Sequence, residues 1–111
     1  MRTFEVNKAG ESLTGILWER DMGVLAGHWT AIDTETLLID EDKPREVPDL
    51  VVMTVYDGGN FVHLVTWNDV PAYLDELLKK DTCFVFHNAP FDMRVLGLDK
   101  WVPIIDRGRV R

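Results

Sequence analysis

The stretch Leu50–Thr66, LVVMTVYDGGNFVHLVT, contains two runs of β-branched and aromatic residues on either side of Asp57-Gly58-Gly59-Asn60. Residues of this kind favour strands, and a short cluster of Asp, Gly and Asn between two such runs is typical of a hairpin turn. We therefore predict a β-hairpin at the centre of the chain.

Further elements are predicted on both sides of this hairpin. Residues 28–36 form a strand that ends in acidic and hydroxyl residues, and residues 82–87 form a short, nearly all-apolar strand. Asn68 or Asp69 can cap a helix with Pro71 in its first turn, and its apolar face contains Val70, Tyr73, Leu74, Leu77 and Leu78.

The last elements are a second helix, which Pro90 opens and Gly97 ends, and a short strand that contains Val102, Ile104 and Ile105. The order strand, hairpin, helix, strand, helix, strand favours an α/β sheet whose first strands are antiparallel and whose later strands are parallel. Residues 1–27 are treated as an N-terminal extension of unknown role.

The composition limits the class of protein without indicating its function. A chain of 111 residues with 46% hydrophobic and 28% charged residues fits one small globular domain. The single cysteine, Cys83, cannot form an intrachain disulfide, and no stretch approaches the ~20 apolar residues that cross a bilayer, so we expect a soluble cytoplasmic protein with no membrane partner. A net charge of −7 argues against a nonspecific nucleic-acid coat but suits clustered carboxylates that hold cations.

Two carboxylates lie two positions apart in Asp33-Thr34-Glu35, on the first predicted strand. The period of two points both side chains to one face and Thr34 to the other. Two adjacent anions repel each other, and a cation between them would relieve that repulsion. The alternative is a strand end with two solvated acids.

A third carboxylate, Asp92, lies in the first turn of the second helix, directly after a buried strand. The carboxyl ends of strands are where α/β sheets place their sites. The alternative is structural, since Asn88 or Asp92 could cap the helix and Phe91 could belong to the core.

Together, the two segments resemble the DEDD superfamily of 3′-5′ exonucleases, which includes the proofreading domain of DNA polymerase I. The resemblance is carried by Asp-x-Glu on a first strand and by Asn-x-x-Phe-Asp after a later strand, and it covers about residues 28–106. It implies a ribonuclease H-like mixed sheet with flanking helices, and it makes residues 28–111 a partial exonuclease domain, incomplete at the C-terminus.

The resemblance also implies a role for each matched residue. Asp33, Glu35 and Asp92 would be catalytic ligands of two Mg²⁺ or Mn²⁺ ions: Asp33 would bridge them, Glu35 would complete the site of the attacking water, and Asp92 would hold the other ion through water. The positions that would face the terminal nucleotide are Thr36, Ile39, Asn88 and Phe91. The implied substrate is the 3′ end of single-stranded DNA, with RNA as the alternative, and the implied partner is a polymerase or a chain that supplies a missing helix.

The chain also departs from the family pattern. Complete members continue into a helix with a fourth acidic ligand and a Tyr or His four residues before it, whereas Asp99 and Asp106 have Val95 and Val102 at that offset. We therefore assign neither as the fourth ligand and expect weak or no activity from the chain alone. The three histidines, with Cys83, lack the spacing of a zinc site and are interpreted as structural or surface residues.

Three hypotheses follow from these observations: an incomplete exonuclease domain, a non-catalytic nucleic-acid- or metal-binding remnant of one, and an unrelated acidic α/β protein. If the first is correct, the strands before Asp33 and Asp92 should be neighbours, and Asp33, Glu35 and Asp92 should converge at one edge of the sheet. An Asp92 on the far face from Asp33 would end the exonuclease interpretation.

Overall fold

The computed structural model describes residues 2–8, 11–37 and 48–110. The described chain contains six strands and three helices, which are β1 (Thr3–Lys8), β2 (Glu11–Leu17), β3 (Trp29–Thr36), β4 (Leu50–Tyr56), β5 (Phe61–Thr66), α1 (Val70–Leu77), β6 (Cys83–Phe86), α2 (Ala89–Leu96) and α3 (Leu98–Asp106). The predicted hairpin, first helix, apolar strand and second helix are all present within a residue or two of their expected bounds.

The strands form one mixed sheet in the order β1-β2-β5-β4-β3-β6. The pairs β3–β4 and β4–β5 are antiparallel, and β6 joins β3 in parallel. The predicted α/β class with a mixed sheet of antiparallel and parallel strands is therefore confirmed. The strand that contains Asp33 (β3) and the strand that precedes Asp92 (β6) are neighbours, as expected.

The region predicted only as an N-terminal extension contributes two strands to this sheet. β1 and β2 form an antiparallel hairpin, and β2 then pairs in parallel with β5. Trp18, directly after β2, is 3% exposed and belongs to the hydrophobic core. The connector that follows, residues 18–28, leads from β2 to β3 and packs its apolar residues against that core.

All three helices pack against one face of the sheet, which we call the helix face. It presents Ile32, Met53, Val55, Val65, Phe84 and Phe86, which form one buried cluster with the apolar residues of the three helices. Strand alternation sends the intervening side chains to the other side, which we call the open face. Its residues on the central strands are half-buried or exposed, and they include Ala31, Asp33, Thr54, Tyr56, Val62, Leu64 and Val85.

The predicted strand around Val102, Ile104 and Ile105 is wrong, because these residues lie in helix α3. Trp101 and Ile104 are three positions apart and buried on one side of that helix, where Trp101 packs edge-to-face against Phe84 of β6. The burial of Trp101 and Ile104 stabilises the helix more than the strand preference of the β-branched residues and the internal Pro103 disfavour it. The chain returns to the sheet only at Val110, which forms an isolated parallel bridge with Phe84.

Candidate functional site

Asp33 and Glu35 lie at the carboxyl end of β3 and are both exposed on the open face. Thr34, between them, is 8% exposed and faces the helix side, as the strand period requires. A register shift relative to β4 follows directly, between Glu35 and Thr36. Irregularities of this kind are common where a strand directs side chains to a site.

Asp92 lies in the first turn of α2 and is only 2% exposed. Its Oδ1 accepts a hydrogen bond of 2.6 Å from the Thr34 hydroxyl, and its Oδ2 accepts one of 3.2 Å from the backbone N–H of Asn88. Asn88 is the N-cap residue and makes no side-chain cap bond of its own. Asp92 therefore ties the start of α2 to β3 and satisfies an N–H at the helix start, as in the structural alternative.

The expected convergence of three carboxylates is not found. Asp92 bonds to the side chain of Thr34 on the helix side of the sheet, whereas Asp33 and Glu35 point to the open face. Within residues 2–8, 11–37 and 48–110, no group of three His, Cys, Asp or Glu side chains is arranged to hold a metal ion. All three acids lie near the carboxyl ends of the neighbouring strands β3 and β6. Asp92, however, is on the opposite face of the sheet from Asp33 and Glu35.

The open face contains a groove of about 530 Å³ that runs from Asp33 across the sheet to the N-terminal hairpin. Its walls are mainly apolar and include Phe4, Tyr56 and Leu64. Asp33 supplies a carboxylate at one end, and His87 lines the same groove. An apolar groove with a few polar groups at one end is the usual form of a small-molecule or nucleotide site.

His87 is a residue that the sequence did not single out. It was interpreted as a structural or surface histidine, but it is exposed and shares the groove with Asp33. The signal lies in the strand pairing, because Ile32 is the register partner of Phe86, and each is followed in the chain by a polar residue, Asp33 on β3 and His87 directly after β6. That signal requires knowledge that β3 and β6 are neighbours.

The remaining predicted residues have varied environments. Thr36 and Phe91 are half-buried, and Asn88 is exposed at the start of α2. Ile39 lies outside the described residues. Their predicted contacts with a nucleotide stay predictions, as do the metal-ligand roles of Asp33, Glu35 and Asp92. Asp99 and Asp106, which were not assigned as ligands, are exposed on α3.

As metal ligands, Asp33 and Glu35 suit a hard divalent cation. They supply exposed carboxylate oxygens on one face, and Mg²⁺ prefers such ligands while retaining several waters. Asp92 would have to turn from Thr34 toward the open face to ligate the same ion directly.

Comparison with known proteins adds no relative: no protein-family model, no curated protein and no solved structure matches this chain. None of the helices that the structure describes is long and apolar enough to cross a membrane.

Proposed function

We propose that this chain is a metal-dependent 3′-5′ exonuclease domain of the DEDD type, which acts on the 3′ ends of single-stranded DNA. The observation that carries the proposal is the placement of Asp33 and Glu35, which are both exposed on the open face, with Asp33 lining the groove there. The proposed cofactor is Mg²⁺ or Mn²⁺. Bound divalent ions would activate water and neutralise charge on the phosphate.

The topology supports the ribonuclease H-like fold that belongs to this proposal. β3, β4 and β5 are antiparallel neighbours, β6 joins β3 in parallel, and α2 begins directly after β6 with Asn88, Phe91 and Asp92 in the family spacing. Both motifs therefore stand at the carboxyl ends of adjacent strands, where α/β sheets bind ligands.

In this proposal the chain's own residues have separate tasks. Asp33 and Glu35 bind the ion on the open face, and the apolar groove beside them receives the terminal nucleotide. His87, at the same end of the groove, contacts the phosphate as a hydrogen-bond donor. Asp92 holds the start of α2 against β3 in the absence of an ion, and to act as a ligand it would turn from Thr34 toward the open face when the ion binds. Only three of the family's four acidic ligands have a match in this chain, so we expect weak activity at most from the chain alone.

A second candidate function is a non-catalytic module that binds metal or nucleic acid through the same face. The position of Asp92 favours it, because this carboxylate is buried, accepts two hydrogen bonds and lies on the opposite face of the sheet from Asp33, which is the placement named above as evidence against the exonuclease. In that case Asp33 and Glu35 bind an ion that does not promote hydrolysis.

The test uses a 5′-labelled single-stranded DNA and the matching RNA, each incubated for hours with the purified chain and Mn²⁺. Shortening from the 3′ end in the wild type should disappear with Asp33→Asn and persist with Asp75→Asn, which removes the same charge from an exposed position on α1. Manganese binding that Asp33→Asn abolishes, without any shortening, would support the non-catalytic module. Equal shortening by the wild type and Asp33→Asn, or Mn²⁺ binding that Asp33→Asn leaves unchanged, would overturn both candidates.

A further inference from the structure

A buried polar network joins the sheet, helix α1 and the connector of residues 18–28. His63 of β5 is 6% exposed, and its Nδ1 lies 2.9 Å from the Tyr73 hydroxyl of α1. The backbone N–H of Leu25, in the connector, donates to the same hydroxyl oxygen at 3.0 Å. Three elements that are distant in sequence therefore meet at one hydroxyl group.

The number of available protons assigns the donors in this network. The Tyr73 hydroxyl has one proton, and its oxygen already accepts the Leu25 N–H. The same oxygen could also accept an N–H from His63 Nδ1, but the hydroxyl proton would then have no acceptor among the described residues, whereas an unprotonated Nδ1 accepts that proton at 2.9 Å. The arrangement that gives the Tyr73 hydroxyl proton an acceptor is therefore a neutral imidazole with an unprotonated Nδ1 and its proton on Nε2.

Protonation of His63 would disrupt this arrangement. Both ring nitrogens of a charged imidazole carry a proton, so Nδ1 could only donate and the Tyr73 hydroxyl proton would lose its acceptor. A buried donor without a partner is costly, and so is a buried charge. The Leu25 N–H shares the same oxygen and would be affected directly.

The surroundings of His63 do little to stabilise a charge. Its register partners on the adjacent strands are Ile16 and Val55, which are apolar, and the neutral Tyr73 faces it from α1. Burial lowers the pKa of His63, and the charge of Asp57, beyond the end of β4, opposes this shift only in part. Burial also raises the pKa of Tyr73, so its hydroxyl keeps its proton.

We propose that His63, Tyr73 and the Leu25 amide form a pH-sensitive latch, which holds the connector on helix α1 at neutral pH and releases it under acidic conditions. The connector leads directly into β3, the strand that carries Asp33 and Glu35. This proposal does not depend on the proposed function.

The sign of the effect follows from proton binding. Above the ordinary histidine pKa of 6.5, the imidazole is neutral in both the closed and the open connector, so the latch is at full strength. As the pH falls below 6.5, the open form binds a proton that the closed form resists. The opening equilibrium then rises by up to about tenfold for each pH unit, until the closed form also becomes protonated.

The experiment is amide hydrogen exchange by NMR on the full chain between pH 5.5 and 7.5, with protection factors corrected for the intrinsic rates. The protection of the Leu25 amide should fall by up to about tenfold toward pH 5.5 relative to the Trp67 amide, which donates to Val51 within the sheet. His63→Gln keeps an acceptor for the hydroxyl but cannot titrate, so the decrease should vanish. His28→Gln, at an exposed position of the connector, should retain it.

A constant Leu25 protection in the wild type, or an unchanged decrease in His63→Gln, would overturn the proposal. Imidazole ¹⁵N shifts of the wild type provide a second measurement that does not depend on the variant folding. They should show an unprotonated Nδ1 at pH 7.5 and a pKa for His63 below the ordinary histidine value of 6.5. A protonated Nδ1 at that pH, or a His63 pKa at or above 6.5, would contradict the latch.

Discussion

The substitution Thr34→Val tests the placement of Asp92 on the helix side of the sheet. It keeps the shape of the side chain but removes the hydroxyl that donates to Asp92 Oδ1 at 2.6 Å, between side chains that are 8% and 2% exposed. A buried hydrogen bond to a charged group contributes roughly 1.5–3 kcal/mol, and a protein of this size loses about 4 °C of melting temperature per kcal/mol. We therefore expect a decrease of roughly 6–12 °C.

The assay is urea unfolding of the wild type, Thr34→Val, Asp92→Asn and the double variant, which gives the coupling free energy between the two side chains. We expect a coupling of roughly 1.5–3 kcal/mol without divalent ions. Thr54→Val is the matched control, since Thr54 is half-buried on the open face, and it should change the free energy of unfolding by less than about 0.5 kcal/mol.

Repeating the cycle with saturating Mn²⁺ distinguishes the two candidate functions. If Asp92 turns away from Thr34 to ligate the ion, the coupling should fall toward zero. If Asp92 is purely structural, the coupling should stay unchanged. A coupling below about 0.5 kcal/mol in the absence of metal would show that the Thr34–Asp92 bond is not formed, and it would refute the placement of Asp92 given above.

Two further predictions concern the elements around the connector. Gly27→Ala should lower the free energy of unfolding by roughly 1–3 kcal/mol, because a Cβ there would lie 2.7 Å from the backbone oxygen of Asp57. Gly23→Ala is the control: a Cβ there would meet nothing within 4 Å, so urea unfolding should show a change of less than about 1 kcal/mol. Tyr73→Phe should lower the free energy of unfolding by roughly 1–3 kcal/mol at pH 7.5, because it removes a buried hydroxyl with two hydrogen-bond partners. Tyr56→Phe is the control: its hydroxyl bonds to Gly59 at an exposed turn, so thermal melts should show a loss of less than about 1 kcal/mol. Equal losses within either pair would contradict the corresponding packing or bonding argument.

The sequence predicts those elements whose signals are local. The turn at Asp57–Asn60 and the helical spacing of Val70, Tyr73, Leu74 and Leu77 each specify one element within a few residues, and both are present. The relative orientation of Asp33 and Glu35 is equally local, since it follows from the strand period alone.

The features that the sequence did not predict depend on packing between distant segments. Helix α3 forms because Trp101 and Ile104 bury one stripe under β6, although Pro103 and the β-branched residues suggest a strand. The side of the sheet on which Asp92 lies is set by how α2 docks on β3, and motif spacing contains no information about that docking. The N-terminal hairpin has weak signals of its own and is held through the pairing of β2 with β5.

Paramagnetic broadening by Mn²⁺ in NMR spectra tests the central claim most directly, because it locates the ion on the fold. The account predicts strongest broadening, at low Mn²⁺ concentration, for amides near Asp33 and Glu35 on the open face, and its loss in Asp33→Asn. Asp75→Asn should leave the broadening unchanged, since its side chain is exposed on α1. Broadening that centres elsewhere, or that persists in Asp33→Asn, would contradict a metal site on this face.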